Sequence, residues 1–223
     1  MSGIKHLIFD CDGVLIDSEY VAVNVMLKML APFGYTSSFQ EYANQFTGML
    51  DTEILKYLNE KEGLPFPPNF YQQIEAERDR VFEEELKPVQ GMPELVKGIS
   101  FPKSVVSNSH VAHVEMSLDI CGIRPLFEGR IYSSEHVLKP KPHPDVYMHA
   151  LQSLSLSADE VLVVEDSLTG VQSAKGAGCK VIGFAGASHI SEGHTDKLLE
   201  LGVEKAAKTP EELSDILATY LLL

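Results

Sequence analysis

Two aspartates stand two residues apart immediately after a short apolar run. Asp10 and Asp12 follow the segment 7–9, and Gly13 comes next. An apolar run that ends in a glycine-permitted turn suits a buried strand, and ligands bind beyond the carboxyl ends of such strands in parallel sheets. Acids this close repel each other, so one must hold a proton or a cation must lie between them. An ionised aspartate can attack phosphorus, and a protonated neighbour can act as general acid. The plain alternative is an acidic loop.

A serine and a lysine mark two later points of the chain. Ser107 follows the apolar segment 104–106, where a hydroxyl is usually a turn residue or a helix cap. Lys141 stands in the proline-rich segment 138–145, and the prolines hold that backbone extended and stiff. A lysine on such a segment loses less freedom when it points into a site, although a surface lysine is the alternative.

Two adjacent acids end another apolar run. Glu165 and Asp166 follow the segment 161–164, which is typical of a buried parallel strand. Adjacent acids at this point can also be a plain helix cap. Together with Asp10 they form an all-oxygen group suited to Mg²⁺, which takes a few carboxylates along with water and phosphate.

These four segments, in this order, resemble the motifs of the haloacid dehalogenase (HAD) superfamily of phosphohydrolases. They are Asp-x-Asp-Gly-Val-Leu at 10–15, Ser-Asn at 107–108, Lys-Pro-x-Pro-Asp at 141–145 and Glu-Asp at 165–166. Within the family, the Val-Val-Ser-Asn text at 105–108 and the lysine motif look like those of sugar phosphate and 6-phosphogluconate phosphatases. The resemblance implies an α/β fold, with a HAD-like doubly wound parallel sheet (a Rossmann-like core) and an inserted helical-bundle cap domain.

The resemblance also implies a role for each matched residue. Asp10 is the implied nucleophile, and Asp12 is the general acid and then the base. Ser107 and Asn108 are implied to bind the phosphoryl oxygens, and Lys141 to pair with the carboxylate of Asp10 and the phosphate. The implied ligands of the cofactor Mg²⁺ are Asp10, the backbone carbonyl of Asp12, Asp166, and Glu165 directly or through a water.

The segment between the first motif and residue 86 has helical character. Apolar spacing and turn residues predict helices near 21–30, 38–46, 51–61 and 69–86. Four helices with short connections favour a small bundle, and the resemblance favours a mobile lid over a plain helical domain. The predicted domains are therefore an α/β core, 1–16 and 87–223, and a helical cap, 17–86.

Two chemistries fit the four motifs. β-Phosphoglucomutase has the same motifs and cap type, but it carries a histidine where this chain has Ala22 and an arginine where it has Asp51. The absence of these two residues favours transfer of the phosphoryl group to water. The predicted function is therefore that of a Mg²⁺-dependent phosphomonoester hydrolase. It acts on a small phosphorylated metabolite, a sugar phosphate, through an aspartyl phosphate on Asp10. Thr47, Gly48 and Asp51 are the predicted substrate contacts in the cap. A non-catalytic binding protein of this fold is the third alternative, and the presence of every motif residue disfavours it.

Composition limits the partners. The 223 residues carry a net charge of −14, which argues against nucleic acid and anionic membranes as partners. A small anionic substrate remains compatible, because a metal ion and one lysine can reverse the local field. Cys11, Cys121 and Cys179 are an odd, widely spaced set and predict reduced thiols, with Cys11 turned into the core. No signal peptide and no long apolar span is readable, so we expect a cytoplasmic monomer.

Overall fold

The computed structural model describes residues 3–46, 49 and 51–221. Contacts within the chain divide it into two compact units. The first, called the core unit below, contains the chain up to Asp17, Lys87–Ala187, and the chain from Glu192 onwards. The second, called the helical unit, contains Ser18–Leu86 and Ser188–Ser191. That the helical unit acts as a cap stays a prediction.

A six-stranded sheet forms the centre of the core unit in the described part of the chain. Its order is β3-β2-β1-β4-β5-β6, and every neighbouring pair is parallel. The strands are β1 (His6–Phe9), β2 (Lys103–Ser107), β3 (Ile131–Ser133), β4 (Val161–Glu165), β5 (Lys180–Phe184) and β6 (Lys205–Ala207). The predicted doubly wound parallel sheet is confirmed.

The central strands are buried along their length rather than on alternate residues only. Every residue of β1 and β4 is buried, as expected of parallel strands with both faces covered. Phe9 lies opposite Val105 on one side and Val164 on the other. The carboxyl ends of β2, β1 and β4 therefore lie near one another at the same edge of the sheet. The residues that end or follow these strands are placed side by side.

Helices make the crossovers that parallel strands require, and α10 follows the last strand. The α-helices of the core unit are α5 (Met92–Gly98), α6 (Val111–Ile120), α7 (Asp145–Leu154), α8 (Leu168–Gly176), α9 (His194–Glu200) and α10 (Pro210–Leu221). Ser167 caps α8 by accepting a hydrogen bond from the amide of Gly170 at 3.0 Å. This cap fixes where β4 ends and where the chain turns away from the strand end.

The helical unit contains four helices in its described residues. They are α1 (Ser18–Leu30), α2 (Phe39–Phe46), α3 (Asp51–Glu62) and α4 (Phe70–Glu85). Phe33, Phe66 and Phe70 form an aromatic cluster with ring centroids 4.8 to 5.2 Å apart. Lys28 of α1 pairs with Glu77 of α4 at 2.7 Å. Across the described residues, no helix combines the length and apolar character needed to cross a membrane.

Candidate active site

Three predicted site residues meet where adjacent strands end. Asp10 follows β1, Ser107 is the last residue of β2, and Glu165 is the last residue of β4. The sheet order puts β2, β1 and β4 next to one another, and parallel pairing aligns their carboxyl ends. The amide of Asp10 donates to the carbonyl of Val164 at 2.9 Å, which ties the first motif to β4.

Lys141 lies at the centre of this group. Its Nζ is 2.7 Å from Asp10 Oδ1 and 2.6 Å from Glu165 Oε1, and it donates to the carbonyl of Val106 at 3.1 Å. Asn108 fixes the lysine's backbone, because its Oδ1 accepts from the Lys141 amide at 2.9 Å and its Nδ2 donates to the Lys141 carbonyl at 3.3 Å. Lys141, the lysine that matches the motif, is thus a buried side chain with two ion pairs.

Negative charge exceeds positive charge in this buried group. Burial, followed by the charges of Glu165 and Asp12, raises the pKa of Asp10 to about 8, although Lys141 opposes the shift. Burial and the charge of Asp10 raise the pKa of Asp166 well above its usual range. Burial would lower the pKa of Lys141, but Asp10 and Glu165 outweigh it and raise that pKa. The single positive charge of Lys141 therefore does not offset the negative charge of the acids around it.

The surplus charge makes the acids a fitting metal site. Asp10, Glu165 and Asp166 are buried, and each offers a carboxylate oxygen within 4.8 Å of the others. Three carboxylates that share one cationic side chain gain from a second cation, and an all-oxygen set suits Mg²⁺. Gly13, with φ at +78°, keeps room beside this group, since a Cβ there would lie 2.0 Å from Asp166 Oδ2.

Both oxygens of Glu165 already accept hydrogen bonds from the protein. Lys141 Nζ and the Tyr147 hydroxyl donate to Oε1 at 2.6 and 2.9 Å. The amide and the hydroxyl of Ser167 donate to Oε2 at 3.3 and 3.1 Å. Among the three acids, Glu165 is therefore suited to holding Lys141.

Asp12 is held at one oxygen by two hydroxyl groups. Ser109 Oγ donates to Asp12 Oδ2 at 2.9 Å, and Ser107 Oγ donates to the same oxygen at 3.3 Å. Ser107 Oγ in turn accepts from the Ser109 amide at 2.9 Å. The sequence interpretation included Ser107 and missed Ser109, although the Ser-x-Ser spacing after a strand was a usable signal.

Tyr147 is a second site residue that the sequence interpretation missed. It lies on α7, fully buried, with its hydroxyl on Glu165 and its ring centroid 5.3 Å from Lys141 Nζ. A tyrosine at an apolar position of a helix is usually read as core. Its only sequence signal was its place six residues after the motif lysine.

The predicted substrate contacts outside the core unit are only partly described. Thr47 and Gly48 lie outside the described residues. Asp51 begins α3 and forms an ion pair with Arg78 of α4. Ala22 lies on α1, where the mutases have a histidine. Nothing in the structure tests these residues as substrate contacts.

Cys11 is buried between the two motif aspartates. Burial, followed by the charges of Asp12 and Asp10, raises the pKa of its thiol well above the usual range. A thiol in that state is a poor nucleophile. It accordingly lies inside the core, as the alternation of side chains along an extended segment predicts.

The chain is similar to known proteins in both sequence and structure. The chain matches the haloacid dehalogenase-like hydrolase family over residues 7–184. It is 29% identical to the 6-phosphogluconate phosphatase of Escherichia coli, covering 85% of this chain and 86% of that protein. It is 28% identical to a phosphorylated carbohydrates phosphatase of Thermotoga maritima, covering 98% and 100%. A crystal structure of a HAD family hydrolase from Deinococcus radiodurans, with bound phosphate and sodium, superposes with a TM-score of 0.90 at 28% identity, covering 100% and 99%.

The chain therefore belongs to the haloacid dehalogenase-like hydrolase family. The predicted resemblance is confirmed, and so is the prediction that the protein is an enzyme of the phosphatase class.

Proposed function

We propose that this phosphatase hydrolyses a phosphorylated carbohydrate in a Mg²⁺-dependent reaction through an aspartyl phosphate on Asp10. The observation that carries the proposal is the buried group in which Lys141 Nζ contacts Asp10 at 2.7 Å and Glu165 at 2.6 Å. The substrate class is supported by the relatives from E. coli and T. maritima, whose names specify 6-phosphogluconate and phosphorylated carbohydrates.

Asp10 is the proposed nucleophile. Lys141 orients its carboxylate through Oδ1 and favours its ionised form, which is the form that attacks phosphorus. In the first step a bond forms between an oxygen of Asp10 and phosphorus while the bond from phosphorus to the substrate's alcohol oxygen breaks. Lys141 also supplies positive charge for the phosphoryl oxygens, where electrostatic stabilisation counts most.

Asp12 is the proposed proton carrier. Two serine hydroxyls donate to its Oδ2, which fixes the orientation of the carboxylate that carries the proton. In the first step Asp12 gives its proton to the leaving alcohol oxygen. In the second it takes a proton from the attacking water, as the bond from phosphorus to Asp10 breaks and inorganic phosphate leaves. Ser107 and Asn108 are the proposed phosphate-binding residues at the end of β2.

The proposed Mg²⁺ ligands are Asp10, Asp166 and the backbone carbonyl of Asp12. Glu165 is proposed to contribute through a water, because both of its oxygens already accept protein hydrogen bonds. When bound, the ion supplies positive charge that offsets the acids and the phosphoryl oxygens.

Hydrolysis is favoured over the mutase reaction by the helical unit's own residues. Ala22 has no group that can transfer a proton, and the carboxylate of Asp51 is paired with Arg78. Neither position provides the histidine and arginine that the mutase resemblance would need. A phosphoenzyme without them is expected to pass its phosphoryl group to water.

The test is phosphate release, with Mg²⁺, from sugar phosphates, sugar-acid phosphates and a generic aryl phosphate. We expect free phosphate, and we expect Asp10→Asn to abolish turnover while its thermal unfolding stays cooperative. Ester hydrolysis that persists in Asp10→Asn would refute the mechanism. Formation of glucose 6-phosphate from β-glucose 1-phosphate, with little free phosphate, would instead identify a mutase.

A further inference from the structure

Three consecutive residues at the end of β3 lie beside the loop that follows β2. Ser133, the last residue of β3, is paired with Ser107, the last residue of β2. The loop 108–110 leads from there to α6. Parallel pairing places both strand ends at one edge of the sheet, so residues 133–135, called the support segment below, lie next to this loop. The support segment belongs to none of the four sequence motifs.

Two serines of the support segment hold two successive carbonyl groups of the loop. Ser134 Oγ donates to the carbonyl oxygen of Asn108 at 2.6 Å. Ser133 Oγ donates to the carbonyl oxygen of Ser109 at 2.7 Å. Ser133 is fully buried, so a substitution that removes its hydroxyl leaves a buried carbonyl without this donor. The loop backbone therefore depends on side chains that come from the neighbouring strand.

Glu135 holds the next part of the same backbone. Its Oε2 accepts a hydrogen bond from the amide of Val111, the first residue of α6, at 2.7 Å, and its Oε1 lies 3.0 Å from His110 Nδ1. The bond from Val111, followed by that from His110, lowers the pKa of Glu135 and keeps it ionised. A carboxylate at the start of a helix accepts from an amide that has no partner within the helix.

Ser109 connects this backbone to Asp12. Its amide donates to Ser107 Oγ at 2.9 Å, and its carbonyl accepts from Ser133 Oγ at 2.7 Å. With its amide and its carbonyl both held, the direction of its side chain is set. Its own hydroxyl then donates to Asp12 Oδ2 at 2.9 Å. A sequence of hydrogen bonds therefore leads from β3 through Ser109 to the carboxyl group of Asp12.

We propose that the support segment, and Ser133 above all, positions Asp12 for proton transfer through Ser109. Ser133 is a positioning residue, because its hydroxyl is bonded to the backbone of Ser109. The inference rests on the proposed function, since it takes Asp12 as the proton carrier. Proton transfer requires an acid within hydrogen-bond reach of the reacting oxygen, and a displacement of about 1 Å costs on the order of 100-fold in rate.

Ser133→Ala tests the proposal with two esters whose leaving groups differ in their need for a proton. Benzyl phosphate releases an alcohol that must be protonated, whereas 4-nitrophenyl phosphate releases a stable anion. We expect kcat/KM to fall about tenfold for benzyl phosphate and less than about twofold for 4-nitrophenyl phosphate. This constant covers only the steps up to release of the alcohol, so hydrolysis of the aspartyl phosphate does not enter. Equal falls for the two esters, or no fall, would overturn the proposal.

Ser104→Ala is the matched control, because Ser104 is a fully buried serine of β2 whose hydroxyl lies 3.1 Å from His6 Nε2. We expect it to lower the melting temperature and to leave the ratio of the two kcat/KM values unchanged. Ser133→Thr keeps the hydroxyl and should return that ratio to the wild-type value. Ser134→Ala, at a partly buried position, gives a smaller change in the same direction and serves if Ser133→Ala does not fold. A change of ratio in Ser104→Ala, or none in Ser134→Ala, would count against the proposal.

Asp12→Asn distinguishes failure of this inference from failure of the proposed function. Alcohol release is measured in single turnovers with enzyme in excess. We expect Asp12→Asn to lower the rate for benzyl phosphate far more than for 4-nitrophenyl phosphate, and added Ser133→Ala to change the ratio no further. Equal losses for both esters in Asp12→Asn would remove the proposed role of Asp12 together with the inference. A selective loss in Asp12→Asn that Ser133→Ala does not share would remove the inference alone.

Discussion

Lys141 contacts two acids that have different parts in the proposed reaction. Asp10 reacts, whereas Glu165 holds the lysine and is itself held by Tyr147 and Ser167. A lysine side chain has several rotatable bonds, and two short ion pairs in a buried group fix its position. The position of the lysine's charged group thus depends on hydrogen bonds that extend through Glu165 to Tyr147 and Ser167.

Tyr147→Phe tests that chain at the residue level. Losing a hydrogen bond to a buried carboxylate should lower the free energy of unfolding by about 1–2 kcal/mol. Because Lys141 and Ser167 still hold Glu165, we expect kcat to fall several-fold with KM nearly unchanged. Chemical denaturation and steady-state kinetics measure the two effects.

Tyr71→Phe is the control for this experiment, because it removes a hydroxyl–carboxylate hydrogen bond to Glu75 that is only part-buried. Such a pair contributes less than a fully buried one, so the stability of this variant should change by less than about 0.5 kcal/mol. Equal effects of the two substitutions on stability and on kcat would show that Tyr147 does not position the lysine.

The sequence could identify charged site residues but not their neutral supports. Lys141 and Glu165 stand in motifs with recognisable spacing, and the structure brings both against Asp10. Tyr147 looks like an ordinary core residue of α7. Its surroundings come from residues distant in sequence, and no local pattern records such contacts.

At the level of elements, the turn after β1 depends on a glycine for two independent reasons. Gly13 has φ at +78°, which is unfavourable for other residues by roughly 1–2 kcal/mol. A Cβ at this position would also lie 2.0 Å from Asp166 Oδ2 and 2.6 Å from its Cγ. Glycine is therefore the residue that fits position 13, because any Cβ there would overlap the carboxylate of Asp166, which follows β4.

Gly13→Ala and Gly129→Ala separate these two costs. Gly129 has φ at +74° and no described atom within 4 Å of a Cβ built there. We expect Gly129→Ala to lose about 1–2 kcal/mol of unfolding free energy, and Gly13→Ala to lose at least about 1 kcal/mol more and its turnover. Equal losses in chemical denaturation would mean that Asp166 moves aside without cost.

A histidine on β1 predicts how stability depends on pH. Burial, followed by the charges of Arg130 and Lys103, lowers the pKa of His6 to about 4. The unfolded chain binds this proton near pH 6.5, so between about 6.5 and 4 the unfolded state holds more protons than the folded state. Stability from this group is full above pH 6.5 and is lost progressively as the pH falls through that window.

His6→Gln isolates this effect, since glutamine can still reach the hydroxyl of Ser104, which lies 3.1 Å from His6 Nε2. The difference in unfolding free energy between wild type and variant should be constant above pH 6.5 and should shift in favour of the variant toward pH 4. A difference that stays flat across the range would refute the depressed pKa.

Elements were predictable where a periodic pattern covered them. Helices α2, α3 and α4 and strands β2 and β4 begin and end within about two residues of their predicted bounds, whereas α1 begins at Ser18, three residues before its apolar pattern. The sequence also predicts a short strand near 129–132, and the structure places it at Ile131–Ser133, because Gly129 makes a turn with φ at +74°. The shift follows from turn geometry, which a hydrophobic pattern does not record.

At the scale of the whole molecule, charge is the dominant feature. A net charge of −14 repels an anionic substrate at long range, while the buried lysine and a bound cation would act at short range. The acids that hold such a cation are costly without it, since burial raises the pKa of both Asp10 and Asp166. Folding and metal binding are therefore expected to be coupled.

Thermal unfolding with and without Mg²⁺ measures that coupling directly. A ligand that binds only the folded state stabilises it by about 2.7 kcal/mol at a concentration of 100 times its Kd, so Mg²⁺ should raise the melting temperature by several degrees. Asp166→Asn replaces one buried acid with a neutral group of the same shape. We expect this variant to melt higher than the wild type in chelator, because the cost of burying the acid beside Asp10 is gone, and to gain little from Mg²⁺. A variant that melts lower in chelator and keeps the full Mg²⁺ shift would remove Asp166 from the proposed metal ligands, and an unshifted wild type would remove the metal site itself.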